Sequence, residues 1–154
     1  MIVEQQAAPA FSIADEDNKM VSLADFKDSK NVVLYFYPKD DTPGCTIEAN
    51  QFTQFIDEFS KNNTVIFGVS KDSCTSHEDF IAKFELKVRL LADTDGKLCD
   101  DYGVWQEKEK NGVKKMGIVR STFVIDKEGV IRHVEYGVVP DGHAQAILDR
   151  IIKL

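Results

Sequence analysis

The run Tyr37-Pro-Lys-Asp-Asp-Thr-Pro-Gly-Cys45 sets a thiol where a helix is due to begin. Thr42 suits the N-cap, Pro43 the first helical position, and Gly44 keeps the turn uncrowded. Cys45 then falls in the first turn, facing unpaired backbone N–H groups and the positive end of the helix dipole. Both favour thiolate over thiol, and the thiolate is the nucleophile. An ordinary cysteine, with a pKa near ~8.5, is only a few per cent thiolate at neutral pH. Bringing such a group to ~6 takes about 3.4 kcal/mol. A helix terminus supplies roughly 0.3–2 kcal/mol of that, so a further cation is required. The arginines are Arg89, Arg120, Arg132 and Arg150. Arg120 directly precedes the apolar run Ser121-Thr-Phe-Val-Ile125, which places it at a sheet end and makes it the best candidate. The plainer reading of Cys45 is a small buried hydrophobe. A Pro-x3-Thr-x2-Cys cluster at a strand-to-helix junction is an odd place for core filling.

The elements that must hold these residues are legible from periodicity. Val32–Tyr37 is a continuous β-branched and aromatic run, as in a strand covered on both faces, and Thr64–Ser70 is a second. Between them Cys45–Lys61 spaces Ile47, Phe52, Phe55, Ile56 and Phe59 as a helix does. This strand–helix–strand unit predicts a parallel pair with its active site at the carboxyl edge. Further helices are expected over Ser76–Phe84, Lys97–Tyr102 and Gly142–Lys153, the last burying Ala146, Ile147, Ile151 and Leu154. Val88–Ala92 reads as a short strand. Ser121–Ile125 and Val130–Tyr136 read as an antiparallel pair about the Asp126–Gly129 turn. Phe11–Leu23 reads as an N-terminal hairpin around Asp15–Asn18, and the charged stretch Glu107–Lys115 as a solvated loop. The expected fold class is α/β: a central mixed β-sheet flanked by helices on both faces, in a single domain spanning residues 1–154.

Length and charge narrow the function. The chain has 154 residues, 43% of them hydrophobic and 29% charged, which suits an ordinary globular domain. Its net charge of −7 argues against a nucleic-acid surface and against docking to anionic membranes. The longest clean apolar run is far below the ~20 residues of a membrane span, and the N-terminus does not read as a secretory signal. Three cysteines are too few for a disulfide scaffold, so a reducing, cytoplasmic setting is expected. No Gly-rich phosphate loop calls for a nucleotide, and no organic cofactor is expected. Cys74 and His77 have zinc-like spacing but no matching pair elsewhere, so no metal is expected either. His77, His133 and His143 read as surface or capping residues, and Trp105 as core or pocket rim.

Pro38, Thr42 and Cys45 match the active-site pattern of the peroxiredoxins. Tyr-Phe-Tyr-Pro-Lys-Asp-Asp-Thr-Pro-Gly-Cys-Thr resembles the subgroup called PrxQ, or bacterioferritin comigratory protein. The similarity continues in Val69–Ser73, Ser76-His77, Tyr102–Trp105, Gly117–Asp126 and Gly142–Ala144. The resemblance implies a thioredoxin-like fold and reduction of hydrogen peroxide and organic hydroperoxides. In it Cys45 is the peroxidatic nucleophile and becomes a sulfenic acid. Thr42 bonds the substrate oxygens, Arg120 stabilises thiolate and transition state, and Pro38 shields the pocket. Glu48, three residues on and on the same helix face, orients the arginine. Glu48 as a plain surface residue is the alternative.

The subgroup usually resolves its sulfenic acid with a second cysteine. The two usual positions hold Asn50 and Ile81 here. Either an external thiol (thioredoxin, glutaredoxin or glutathione) resolves Cys45, or Cys74, and less readily Cys99, does so from an unusual place. The resemblance further implies a monomer. A disulfide oxidoreductase would want Cys-x-x-Cys, which is absent. A redox sensor that signals through oxidised Cys45 without rapid turnover is the non-enzymatic alternative.

Overall fold

The computed structural model describes all residues, 1–154. Its centre is a five-stranded mixed sheet in the order β5-β4-β3-β8-β9. The first strands of the chain, β1 (Ser12–Ala14) and β2 (Met20–Ser22), form the expected N-terminal hairpin, a separate two-stranded sheet. β3 (Asn31–Phe36) lies parallel to β4 (Thr64–Ser70), and β4 parallel to β5 (Arg89–Ala92). β6 (Trp105–Lys110) and β7 (Val113–Ile118) form a second hairpin outside the main sheet. β8 (Ser121–Ile125) runs antiparallel to β3, and β9 (Ile131–Tyr136) antiparallel to β8.

Strand alternation divides the core in two. Val33, Tyr35 and Tyr37 of the β3 segment face one apolar cluster, with Phe52, Phe59, Phe80 and Ile147 from the helices. Val32, Leu34 and Phe36 face the other, with Leu98, Tyr102 and Phe123. The helices are unevenly shared. α1 (Pro43–Gln54), α2 (Ile56–Lys61), α3 (Cys74–Phe84) and α5 (His143–Ile152) cover the first face. The short α4 (Lys97–Asp101) and the N-terminal segments cover the second.

Several expectations are corrected in detail. The single helix over Cys45–Lys61 is two, broken at Phe55, whose backbone is at φ −103°, ψ 11°. The break lets both Phe52 and Phe59 enter the core, with ring centroids 5.9 Å apart, and no Gly or Pro announces it. α3 starts two residues earlier than expected because Ser73 caps it, accepting from the Ser76 N–H at 3.1 Å. α5 buries Ala144, Ile147, Leu148 and Ile151, while Ala146 and Leu154 are exposed. The charged stretch Glu107–Lys115 is not a loop but most of the β6–β7 hairpin. Its turn is Asn111-Gly112, both at positive φ (53° and 77°), the geometry of a two-residue hairpin turn.

Candidate active site

The β3–β8 register brings the site together. Phe36 pairs with Ser121, so the end of β3 and the start of β8 share one sheet edge. The Tyr37–Thr42 turn leaves from one strand there, and Arg120 enters the other. Thr42 has extended N-cap geometry, Pro43 opens α1, and Cys45 lies in its first turn, 2% exposed.

Arg120 reaches the sulfur. Its Nη2 donates to Cys45 Sγ at 3.5 Å and its Nη1 to Glu48 Oε1 at 2.8 Å. Gly44 makes this approach possible: a Cβ there would sit 3.0 Å from Arg120 Nη2 and 3.4 Å from Pro140 Cγ. Cys45 is therefore buried, as the plainer reading had it, but with a guanidinium on its sulfur. Glu48 is wholly buried, not a surface residue. Burial pushes its carboxyl up to about 7, against the pull of Arg120, and its Oε2 has no partner. The guanidinium, flanked by Glu48 and Cys45, rises above the usual arginine range although burial opposes this.

Glu48 leaves a pH signature. Its folded value lies above that of an unfolded glutamate, so folding takes up a proton between the two. Its contribution is fully present below about 4.5 and is lost as pH rises through about 7. The wild-type melting temperature falls between pH 5 and 7.5 more steeply than that of Glu48→Gln, with a difference of several degrees. Parallel pH curves for the two proteins would show that the carboxyl does not titrate in this range.

Thr42 is half-buried, and its hydroxyl departs from expectation. It makes no capping bond but donates to Lys39 O at 2.8 Å. The Thr42 carbonyl accepts from the N–H and the hydroxyl of Thr46, at 2.9 and 2.8 Å. Pro38 is exposed just beyond β3.

The three thiols are unpaired. Cys99 is fully buried in the cluster on the far face of the sheet from Cys45. Burial and Asp93 push its thiol well above the usual range. Cys74 is half-buried at the start of α3, its Sγ 3.9 Å from Asn18 Oδ1 on the N-terminal hairpin. The histidines are also corrected: His77, His133 and His143 are all buried. His143 Nε2 lies 2.8 Å from Thr122 Oγ1, and burial lowers its ring to about 4.

Lys108 escapes the sequence reading because its stretch is charged throughout. On β6 it lies along Gly117 and donates from Nζ to Ile118 O at 2.8 Å, two residues before Arg120. Burial and then the Arg120 charge hold its ammonium below the usual lysine range, while Cys45 pulls the other way. The Asn111-Gly112 turn was the signal that could have placed it. Trp105 packs against the second core cluster beneath Lys71 Nζ, 4.0 Å from the ring centroid. A groove of about 640 Å³ between the N-terminal hairpin and α4 is lined by no cysteine.

A thiol under a guanidinium, itself held by a buried carboxylate, is an arrangement for nucleophilic attack on an electrophilic oxygen or sulfur. The chain matches the AhpC/TSA family over residues 5–134. It is 46% identical to peroxiredoxin Bcp of Bacillus subtilis over 124 residues, 80% of this chain and 78% of the other. It is 38% identical to peroxiredoxin Bcp of Escherichia coli over 142 residues, covering 92% and 90%. The bacterioferritin comigratory protein of Xanthomonas campestris, solved in a study of its alkyl peroxide reduction activity, superposes with a TM-score of 0.88. That structure is 36% identical, over 93% of this chain and 90% of the other. No helix is long and apolar enough to cross a membrane. With its thioredoxin-like sheet and this cysteine site, the chain belongs to the AhpC/TSA family and is a thiol-dependent peroxidase of the Bcp/PrxQ peroxiredoxins.

Proposed function

We propose that Cys45 is the residue that reduces hydrogen peroxide and organic hydroperoxides, and that an external thiol recycles it. The contact between Arg120 Nη2 and Cys45 Sγ, backed by Glu48, carries this reading. The Cys45 thiolate attacks the terminal oxygen of the hydroperoxide. The S–O bond forms as the O–O bond breaks, the alkoxide or hydroxide leaves and takes up a proton, and Cys45 is left as a sulfenic acid. Arg120 donates charge-assisted bonds to sulfur and to the oxygen that gains charge. Thr42 contacts the peroxide oxygens. Pro38, exposed beside the turn, limits water at the mouth. One external thiol then condenses with the sulfenic acid, releasing water and leaving a mixed disulfide. A second thiol regenerates Cys45. Thioredoxin, glutaredoxin and glutathione are the classes of reductant that fit a reducing, cytoplasmic setting, and the protein works as a monomer.

External resolution is favoured by the placement of the other thiols. Cys99 lies behind the sheet, and the usual resolving positions are Asn50 and Ile81. Cys74, half-buried on α3, is the internal alternative. The expected result is that reduced protein consumes one equivalent of peroxide far faster than free cysteine does. Cys74→Ser then cycles with glutathione or dithiothreitol at the wild-type rate, within about twofold. A mass loss of two hydrogens, mapped to a Cys45–Cys74 bridge, would overturn external resolution. A single-turnover rate no faster than that of free cysteine would overturn the catalytic reading and favour a sensor.

A further inference from the structure

Behind the Lys39–Thr42 turn lies a polar network that the reaction as written does not use. Asp40 is 7% exposed and His77 is fully buried. Asp40 Oδ1 accepts from Tyr37 Oη at 2.6 Å. Its Oδ2 accepts from Ser76 Oγ at 2.8 Å and from His77 Nδ1 at 2.7 Å. His77 Nε2 lies 2.9 Å from Leu91 O. Both ring nitrogens are thus engaged, Nδ1 by the Asp40 carboxylate and Nε2 by the Leu91 carbonyl, which fixes the ring behind the turn. Asp72 Oδ2 completes the cluster, accepting from the Asp40 N–H at 2.8 Å and from Ser70 Oγ at 2.6 Å.

One peptide group joins this network to the Cys45 site. The N–H of Asp40 and the carbonyl of Lys39 belong to the same planar unit. Asp72 fixes its N–H side. Its oxygen receives the Thr42 hydroxyl proton at 2.8 Å. A hydroxyl has one proton to give. With that proton spent on Lys39, Thr42 Oγ1 offers only lone pairs to whatever arrives beside Cys45.

We infer that Asp72 is a positioning residue for Thr42. By holding the Lys39–Asp40 peptide, with the Asp40–His77 pair locking the turn from behind, it makes the Thr42 hydroxyl an acceptor for the terminal O–H of an incoming hydroperoxide. The inference rests on the reading that Thr42 contacts the peroxide. An O–H donated to Thr42 presents the same terminal oxygen to the sulfur, so the substrate is a protonated hydroperoxide with a free O–H. A dialkyl peroxide, lacking that proton, gains nothing from this contact.

The test is a cycle of Asp72→Ala, Thr42→Val and the double variant. Single-turnover rates are read with hydrogen peroxide and, separately, with iodoacetamide, which reacts with Cys45 but brings no peroxide O–H. Each single variant slows the peroxide reaction about tenfold, the size of one lost hydrogen bond. Alkylation stays within twofold. The double variant is no slower than Thr42→Val alone, because Asp72 acts through Thr42. Asp72→Asn, which keeps an acceptor oxygen, restores the wild-type rate. If Thr42→Val slows the peroxide reaction and Asp72→Ala does not, the inference fails and the role of Thr42 stands. If Thr42→Val is not slow, both fall. Additive losses, or equal losses with peroxide and iodoacetamide, assign Asp72 a merely structural role and overturn the inference. Should Asp72→Ala not fold, Asp72→Ser, whose side chain is too short to reach the Asp40 N–H, takes its place in the same cycle.

Discussion

Cys45→Ser removes peroxide turnover down to the background reaction of the reducing thiol, and leaves the fold intact. The chemistry requires a group that takes up an oxygen atom while giving up an electron pair to it. A thiolate does this, and a serine hydroxyl does not. The side chain is 2% exposed and shares its surroundings with Ala49 and Phe52, so exchanging sulfur for oxygen is a small change of volume. The Arg120 guanidinium that meets the sulfur offers the hydroxyl a bond in its place. The melting temperature therefore shifts by only a few degrees. Cys74→Ser and Cys99→Ser keep the rapid single-turnover reaction, since neither thiol meets an arginine. A peroxidase assay with glutathione or dithiothreitol, alongside melting curves, checks all three. Retained turnover in Cys45→Ser would sink the assignment.

Arg120→Met has two large effects that can be separated. Removing a preorganised donor to developing charge costs about 10²–10³ in rate. The same change strands Glu48, wholly buried and bonded to Arg120 at 2.8 Å. Breaking a buried pair from one side costs roughly 3–5 kcal/mol. Glu48 softens that loss by taking a proton, as burial already pushes its carboxyl up to about 7. The stability loss is accordingly larger at pH 8 than at pH 6, because deprotonation then leaves an uncompensated charge. Arg120→Met combined with Glu48→Gln recovers most of the stability and none of the activity. Equal recovery of both would mean that Arg120 serves the fold alone.

The sequence made the nucleophile legible because Thr42, Pro43, Gly44 and Cys45 follow helix-start grammar, which is local. Arg120 was legible because it abuts a run, Ser121–Ile125, that reads as a strand from its own side chains. The register that sets the two side by side, Phe36 against Ser121, is a long-range pairing. It could be expected only from resemblance and from the rule that sites gather at a sheet edge. Local pattern misleads where tertiary contacts override it. Ile47 reads as core and is 43% exposed, while its neighbour Glu48, whose pairing with Arg120 is expected only from the resemblance, is the buried one. His77 reads as a cap until Asp40 and Leu91 O close on its two nitrogens. The β6–β7 hairpin is built of charged residues exposed on both faces, so no alternation shows, and only Asn111-Gly112 betrays it.

The most direct measurement is peptide-mapped mass spectrometry after one equivalent of hydrogen peroxide, with a sulfenic-acid trapping reagent present and no added thiol. One trapped adduct is expected, on the peptide carrying Cys45, with Cys74 and Cys99 still free thiols. An adduct on Cys74 or Cys99 while Cys45 stays reduced would contradict it.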